Sequence, residues 1–106
     1  MCERGDVCWA RLPEVGRKPV LIVSARAITL ALRPIVARIT SIDRERPIPT
    51  AVLLEEGEIS GLPAKSWVIC HDLFTLLDPL ALERIGSISP SRMVDVEEAL
   101  RAALAL

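Results

Sequence analysis

The stretch Arg17-Lys18-Pro19-Val20-Leu21-Ile22-Val23-Ser24 constrains the fold most. Four consecutive β-branched or aliphatic residues read as a strand buried on both faces, with a short helical fragment as the alternative at this length. Pro19 fixes the entry of the chain into the run. Two adjacent cations stand at its mouth, where they either hold an anion or form a solvated strand end.

The chain around this run has 106 residues, 51% of them hydrophobic and 25% charged. That predicts a packed globule, one domain spanning residues 1–106, and excludes a disordered segment. The net charge of −1 conceals an asymmetry. Residues 1–50 carry nine Lys/Arg against five Asp/Glu, whereas residues 51–106 carry four against nine. A near-neutral protein of this kind can still present a basic face from its first half. Trp9, Trp67 and Phe74 are the whole aromatic complement, so a nucleic-acid surface here is not expected to rest on a stacking platform.

Cys2, Cys8 and Cys70 are odd in number and lack paired spacing, which argues against a disulfide framework. With no Cys-x-x-Cys and one histidine, His71, a zinc site is not expected and no metal or cofactor is called for. No stretch has the length of a signal-peptide core or a membrane span. The expectation is a soluble, cytoplasmic protein without a membrane partner.

Along the chain, Asp6 to Leu12 reads as a first strand with Val7 and Trp9 sharing a face, and Pro13-Glu14-Val15-Gly16 as a tight turn into the second. Ala25 to Leu30 is ambiguous. Arg33 to Thr40 is a third strand, its alternation placing Arg38 and Thr40 together opposite Ile35, Ala37 and Ile39. A polar loop runs from Ser41 to Pro49, followed by a strand at Thr50 to Leu54. Ser66 to Cys70 and Leu73 to Leu77 form two strands or one bent strand, and Ile85 to Ile88 a last short one.

Ser89 and Pro90 predict the N-cap and first turn of a terminal helix. Met93, Val96, Leu100 and Leu104 give it an apolar stripe, and Glu97 and Arg101 an exposed i, i+4 pair. Short strands plus one helix predict a mainly β fold with α, a small barrel or bent sheet with the C-terminal helix packed outside.

Several segments together resemble one family. Arg4-Gly5-Asp6-Val7-Cys8-Trp9-Ala10, Lys18 to Ser24 and Ala37-Arg38-Ile39-Thr40-Ser41 are similar, in order, to strand motifs of the MazF/PemK toxins. Pro49-Thr50-Ala51-Val52, Gly61-Leu62-Pro63, Ser66-Trp67-Val68, Arg84 to Pro90 and Val96 to Leu100 continue the resemblance to the C-terminus. It implies a CcdB/PemK-type, SH3-like barrel acting as a homodimer, the toxin of a bacterial type II toxin–antitoxin pair. It further implies a metal-independent endoribonuclease that cuts single-stranded RNA at short sequences and is silenced by a cognate antitoxin.

Cutting RNA without a metal requires a base for the 2′-hydroxyl, stabilisation of the phosphorane and an acid for the departing 5′-oxygen. The resemblance implies an arginine immediately before the Pro-Val strand and the threonine of an Ile-Thr-Ser motif. Thr40 matches the second. At the first, Lys18 stands where arginine is expected and Arg17 lies one residue earlier; a lysine is a point charge without a bidentate fork. Three arrangements follow: Arg17 turns inward, Lys18 acts with help from Arg38, or cleavage is weak or lost.

Glu14 and His71 are candidate acid/base groups, the bland alternatives being an exposed loop glutamate and a structural histidine. Arg38, Ser41, Arg44, Arg46 and Phe74 are candidate RNA contacts. For these, strand, cap, loop and packing roles are the alternatives. Two competing functions remain: a non-catalytic gyrase-blocking toxin of the CcdB type, disfavoured by an apolar C-terminus without an aromatic anchor, and a degenerate member that only binds antitoxin.

Overall fold

The computed structural model describes residues 2–31, 33–41, 48–62, 64–77 and 82–106. Strands β1 (Asp6–Leu12), β2 (Gly16–Ile22), β3 (Ile35–Thr40), β4 (Ala51–Leu54), β5 (Ser66–Thr75) and β6 (Glu83–Ser87) form one sheet in the order β4-β5-β3-β2-β1-β6. Every neighbouring pair is antiparallel. A short helix α1 (Arg26–Leu30) resolves the ambiguous segment, and α2 (Pro90–Leu104) closes the chain.

The apolar run behaves as its composition requires. Val20, Leu21 and Ile22 are each fully buried, because β2 is central and both of its faces are covered. On one face Leu21 joins Val7, Ala37, Ile39 and Val68 in a core roofed by Val96 and Ala99 of α2. On the other, Val20 and Ile22 meet Cys8, Ala10, Leu12 and Val36. Removing a buried aliphatic side chain of this kind costs about 2–5 kcal/mol, so the register is strongly specified.

The hairpin before β2 sets that register. Pro13 enters the turn, Glu14 takes a positive φ of 61°, and the Val15 amide returns to the Leu12 carbonyl at 3.3 Å. This is the pattern of a type II turn, which places a left-handed residue third. Ladder pairs from Leu12↔Gly16 to Val7↔Leu21 follow without interruption.

The stretch from Ser66 to Thr75 is one strand, irregular in the middle. Ala37 pairs with Leu73 and Arg38 with Ile69, so Cys70, His71 and Asp72 are extra on β5 while β3 runs straight. Arg38 and Thr40 therefore keep the common face that their alternation gives them.

In α2 the Ser89 hydroxyl accepts from the Arg92 amide at 3.1 Å, and Pro90 occupies the first turn. Val96 is fully buried and Met93 and Leu100 pack against the core, but Leu104 is 53% exposed because the sheet ends beneath it. Glu97 pairs with Arg4 at 3.2 Å and not with Arg101. The N-terminal turn presents Arg4 to the helix, and Arg4 also donates to the Val23 carbonyl.

The cysteine reading is corrected as well. Cys2 and Cys8 form a disulfide, and Cys70 is the free, buried thiol. Gly5, at φ 89°, and the Asp6 amide bonded to the Glu3 carbonyl fold the first residues back. That reversal carries Cys2 against the second core beside Cys8, a proximity that spacing alone does not encode.

Candidate functional site

The β2–β3 ladder runs through Val20↔Arg38, Leu21↔Ala37 and Ile22↔Val36. Continued by two residues, this register brings Lys18 of β2 opposite Thr40 of β3, on the face that Arg38 shares. At this strand end a hollow of about 460 Å³ is bordered from both faces of the sheet, by Lys18, Arg38 and Thr40 on one and by Trp9, Arg17, Pro19 and Ile39 on the other. Ser41, Gly61, Leu62, Ala64 and Ser66 complete the lining. Gly61 is glycine for a reason: a Cβ would lie 2.5 Å from the Ile85 Cβ of β6, so this wall seats only without a side chain.

The two adjacent cations diverge. Successive strand residues point to opposite faces. Arg17 crosses β1 to reach Glu83 of β6, Nη2 to Oε2 2.6 Å, and its guanidinium carbon stands 5.1 Å from the Trp9 ring centroid. Among the described residues, the ammonium of Lys18 makes no ion pair or hydrogen bond.

Arg38 is drawn by the extra residues of β5. Its Nε lies 2.6 Å from Asp72 Oδ2, yet the N–H is not aimed at that oxygen, so the contact is a charge pair without hydrogen-bond geometry. Ser41 is exposed on the lining of the hollow. Together Lys18, Arg38, Thr40 and Ser41 offer positive charge and hydroxyl donors to an anion.

The remaining candidates lie elsewhere. Glu14 sits exposed at the hairpin tip, lining a separate hollow of about 560 Å³ walled by Leu12, Leu76, Leu77 and Leu82. His71 is exposed on β5, its Nδ1 2.7 Å from the Thr50 hydroxyl, and does not line the cleft. Phe74 packs against the second core opposite Val36, so its ring serves packing. Arg44 and Arg46 lie outside the described residues. Among the described residues no cluster of three or more His, Cys, Asp or Glu side chains could hold a metal.

Sequence reasoning missed Trp9, Gly61, Leu62, Ala64 and Ser66 as lining residues. The one signal for Trp9 was its place on β1 beside Pro19, and that required the β1–β2 register.

Fold and cleft together define a class: a small curled β-sheet, closed by a terminal helix, with a hollow bordered by cations and hydroxyls at the end of its central strands. Residues 3–104 match the model of the PemK-like, MazF-like toxins of type II toxin–antitoxin systems, and the chain belongs to that family. The probable endoribonuclease MazF5 of Mycobacterium tuberculosis is 30% identical over 102 residues, covering 95% of this chain and 91% of that protein.

Among solved structures, an endoribonuclease in complex with its cognate antitoxin from a mycobacterial species superposes with a TM-score of 0.81 at 29% identity. The match covers 100% of this chain and 97% of that one. Mycobacterium tuberculosis toxin MazF-mt6 gives a TM-score of 0.80 at 27% identity, over 95% and 97% of the two chains.

Proposed function

We propose that this toxin is a metal-independent endoribonuclease for single-stranded RNA, with Lys18 and Thr40 at the centre of its site and the chain acting as one toxin domain. The observation that carries the reading is a Lys18 ammonium with no ion pair among the described residues, at the same strand end as Thr40 on the cleft. The endoribonuclease relatives support it over a gyrase-blocking role.

In this reading the cleft holds the scissile phosphate. A base takes the proton of the 2′-hydroxyl, the 2′-oxygen bonds to phosphorus, and the P–O5′ bond breaks. The 5′-oxygen then takes up a proton, leaving a 2′,3′-cyclic phosphate and a 5′-hydroxyl. Lys18 balances the negative charge that builds on the phosphorane, and the Thr40 hydroxyl donates to one of its oxygens. Arg38, charge-paired to Asp72, adds positive potential from the same face. Neither Glu14 nor His71 lines the cleft, so neither is assigned the proton transfers within one chain.

The relative solved in complex with its cognate antitoxin supports an antitoxin as the natural partner, and a homodimer is the assembly that the family resemblance implies. Both are accessible to one sizing experiment on the protein alone and co-expressed with the gene product encoded beside it. For the activity, purified protein is incubated with a long single-stranded RNA in EDTA and the new 5′ ends are mapped. Cuts at a recurring short sequence are expected. Intact RNA under all conditions would reject the nuclease and leave antitoxin binding as the remaining role.

A further inference from the structure

The floor of the cleft is aromatic. Trp9 pairs with Glu83 of β6 on one side and with Pro19 of β2 on the other, and the continued β2–β3 register sets Ile39 beyond Pro19. Trp9, Pro19 and Ile39 all line the hollow, an apolar row on the sheet face opposite to Lys18 and Thr40, whose strand ends border the same hollow. Arg17 lies diagonal to this row and covers the indole, 5.1 Å from its centroid, while Glu83 holds the guanidinium from beyond β1. Both side chains of that ion pair are mostly exposed, 59% and 66%, so the cover is weakly held.

We propose that Trp9 is the base-stacking floor of the RNA site and that Arg17 is its displaceable cover. This rests on the nuclease reading above and deepens it. A single-stranded nucleotide whose phosphate meets Lys18 at the strand end reaches over that edge to lay its base on the indole, and the guanidinium moves aside. Once released from the ring, Arg17 exchanges Glu83 for a backbone phosphate, so the cation that covers the free site becomes a contact in the bound one. Every base has a π-face, so stacking supplies affinity while the walls around Gly61 and Ser66 sort the bases. The scarcity of aromatics therefore does not preclude a platform; one tryptophan in the right place makes it.

The test uses the full chain carrying Trp67→Phe, which leaves Trp9 as the sole tryptophan. The probes are 2′-O-methyl dodecamers of A, U, G and C, which cannot be cut by 2′-attack. Saturable quenching of Trp9 fluorescence that parallels binding measured by anisotropy is expected, with strength differing among the four bases. In cleavage of a mixed-sequence RNA, Trp9→Leu should raise KM roughly 10-fold or more and Trp9→Phe should recover most of the loss.

Oligonucleotides that bind without altering Trp9 fluorescence would overturn the proposal, as would a folded Trp9→Leu protein that cuts the same sites at the parental KM. If Trp9→Leu does not fold, the fluorescence measurement on native Trp9 decides alone. If the parental protein binds the dodecamers but cuts no RNA, the nuclease reading fails separately and the quenching still decides the role of Trp9.

Discussion

Arg17 of β2 reaches across β1 to Glu83 of β6, Nη2 to Oε2 2.6 Å, and so the first of the two neighbouring cations is spent outside the Lys18–Thr40 pair. The sequence presents Arg17 and Lys18 as equivalent candidates for the role of the family arginine. Strand alternation separates them, and the register of β6 supplies the carboxylate that holds Arg17 over Trp9, on the face opposite to Lys18. In the proposed site Lys18, a single point charge, takes the place of a bidentate fork, with Arg38 on the same face.

Acid should loosen the attachment of α2. Arg92 donates to Glu58 through Nε at 2.9 Å and Nη2 at 2.8 Å. The Arg92 hydrogen bonds hold the Glu58 carboxyl below its ordinary value, outweighing the opposing effect of burial. A depressed folded pKa means this stabilisation is present above the unfolded value near 4.5 and is lost as pH falls through the folded one. Arg92→Ala should cost about 1–2 kcal/mol at pH 7, with the difference from wild type shrinking below pH 4, read by urea titration.

Cys70 should be chemically silent. Burial pushes its thiol up to about 11, so almost no thiolate exists at neutral pH. Iodoacetamide at pH 8 is expected to leave Cys70 unmodified in the folded protein and to alkylate it in urea. With Cys2 and Cys8 joined, the unreduced, urea-unfolded protein should take up a single label and the reduced one three.

Gly61 ties the cleft wall to β6. With Ile85 Cβ 2.5 Å and Ile85 O 3.0 Å from the position of a Cβ, Gly61→Ala must push the wall off the strand. A loss of about 1–3 kcal/mol is expected. Thermal melting measures it, and the same variant should cut RNA more slowly at temperatures where it is fully folded.

Much of this architecture was legible because its signals are local. The run Val20 to Val23 read as a strand buried on both faces and is one for Val20 to Ile22, and Ser89-Pro90 announced α2. The ordered motifs reached the family, and the β3 alternation correctly placed Arg38 with Thr40 because the irregularity fell on β5. What escaped depends on long-range partners. Glu83 lies 66 residues from Arg17, and Arg4 lies 93 from Glu97, where a local partner, Arg101, was the natural reading. The Cys2–Cys8 bond depends on the chain reversal at Gly5, and the position of Trp9 in the cleft on three strand registers at once.

The most direct measurement compares the initial cleavage rates of wild type, Lys18→Ala, Thr40→Ala and Arg17→Ala on one long single-stranded RNA in EDTA. Loss of the phosphorane-stabilising groups should lower the rate about 100-fold or more for Lys18→Ala and Thr40→Ala. Arg17→Ala should lose less than about 10-fold, as expected of a cover and outer phosphate contact. A fully active Lys18→Ala protein, or an Arg17→Ala protein as inactive as expected for Lys18→Ala, would contradict the account.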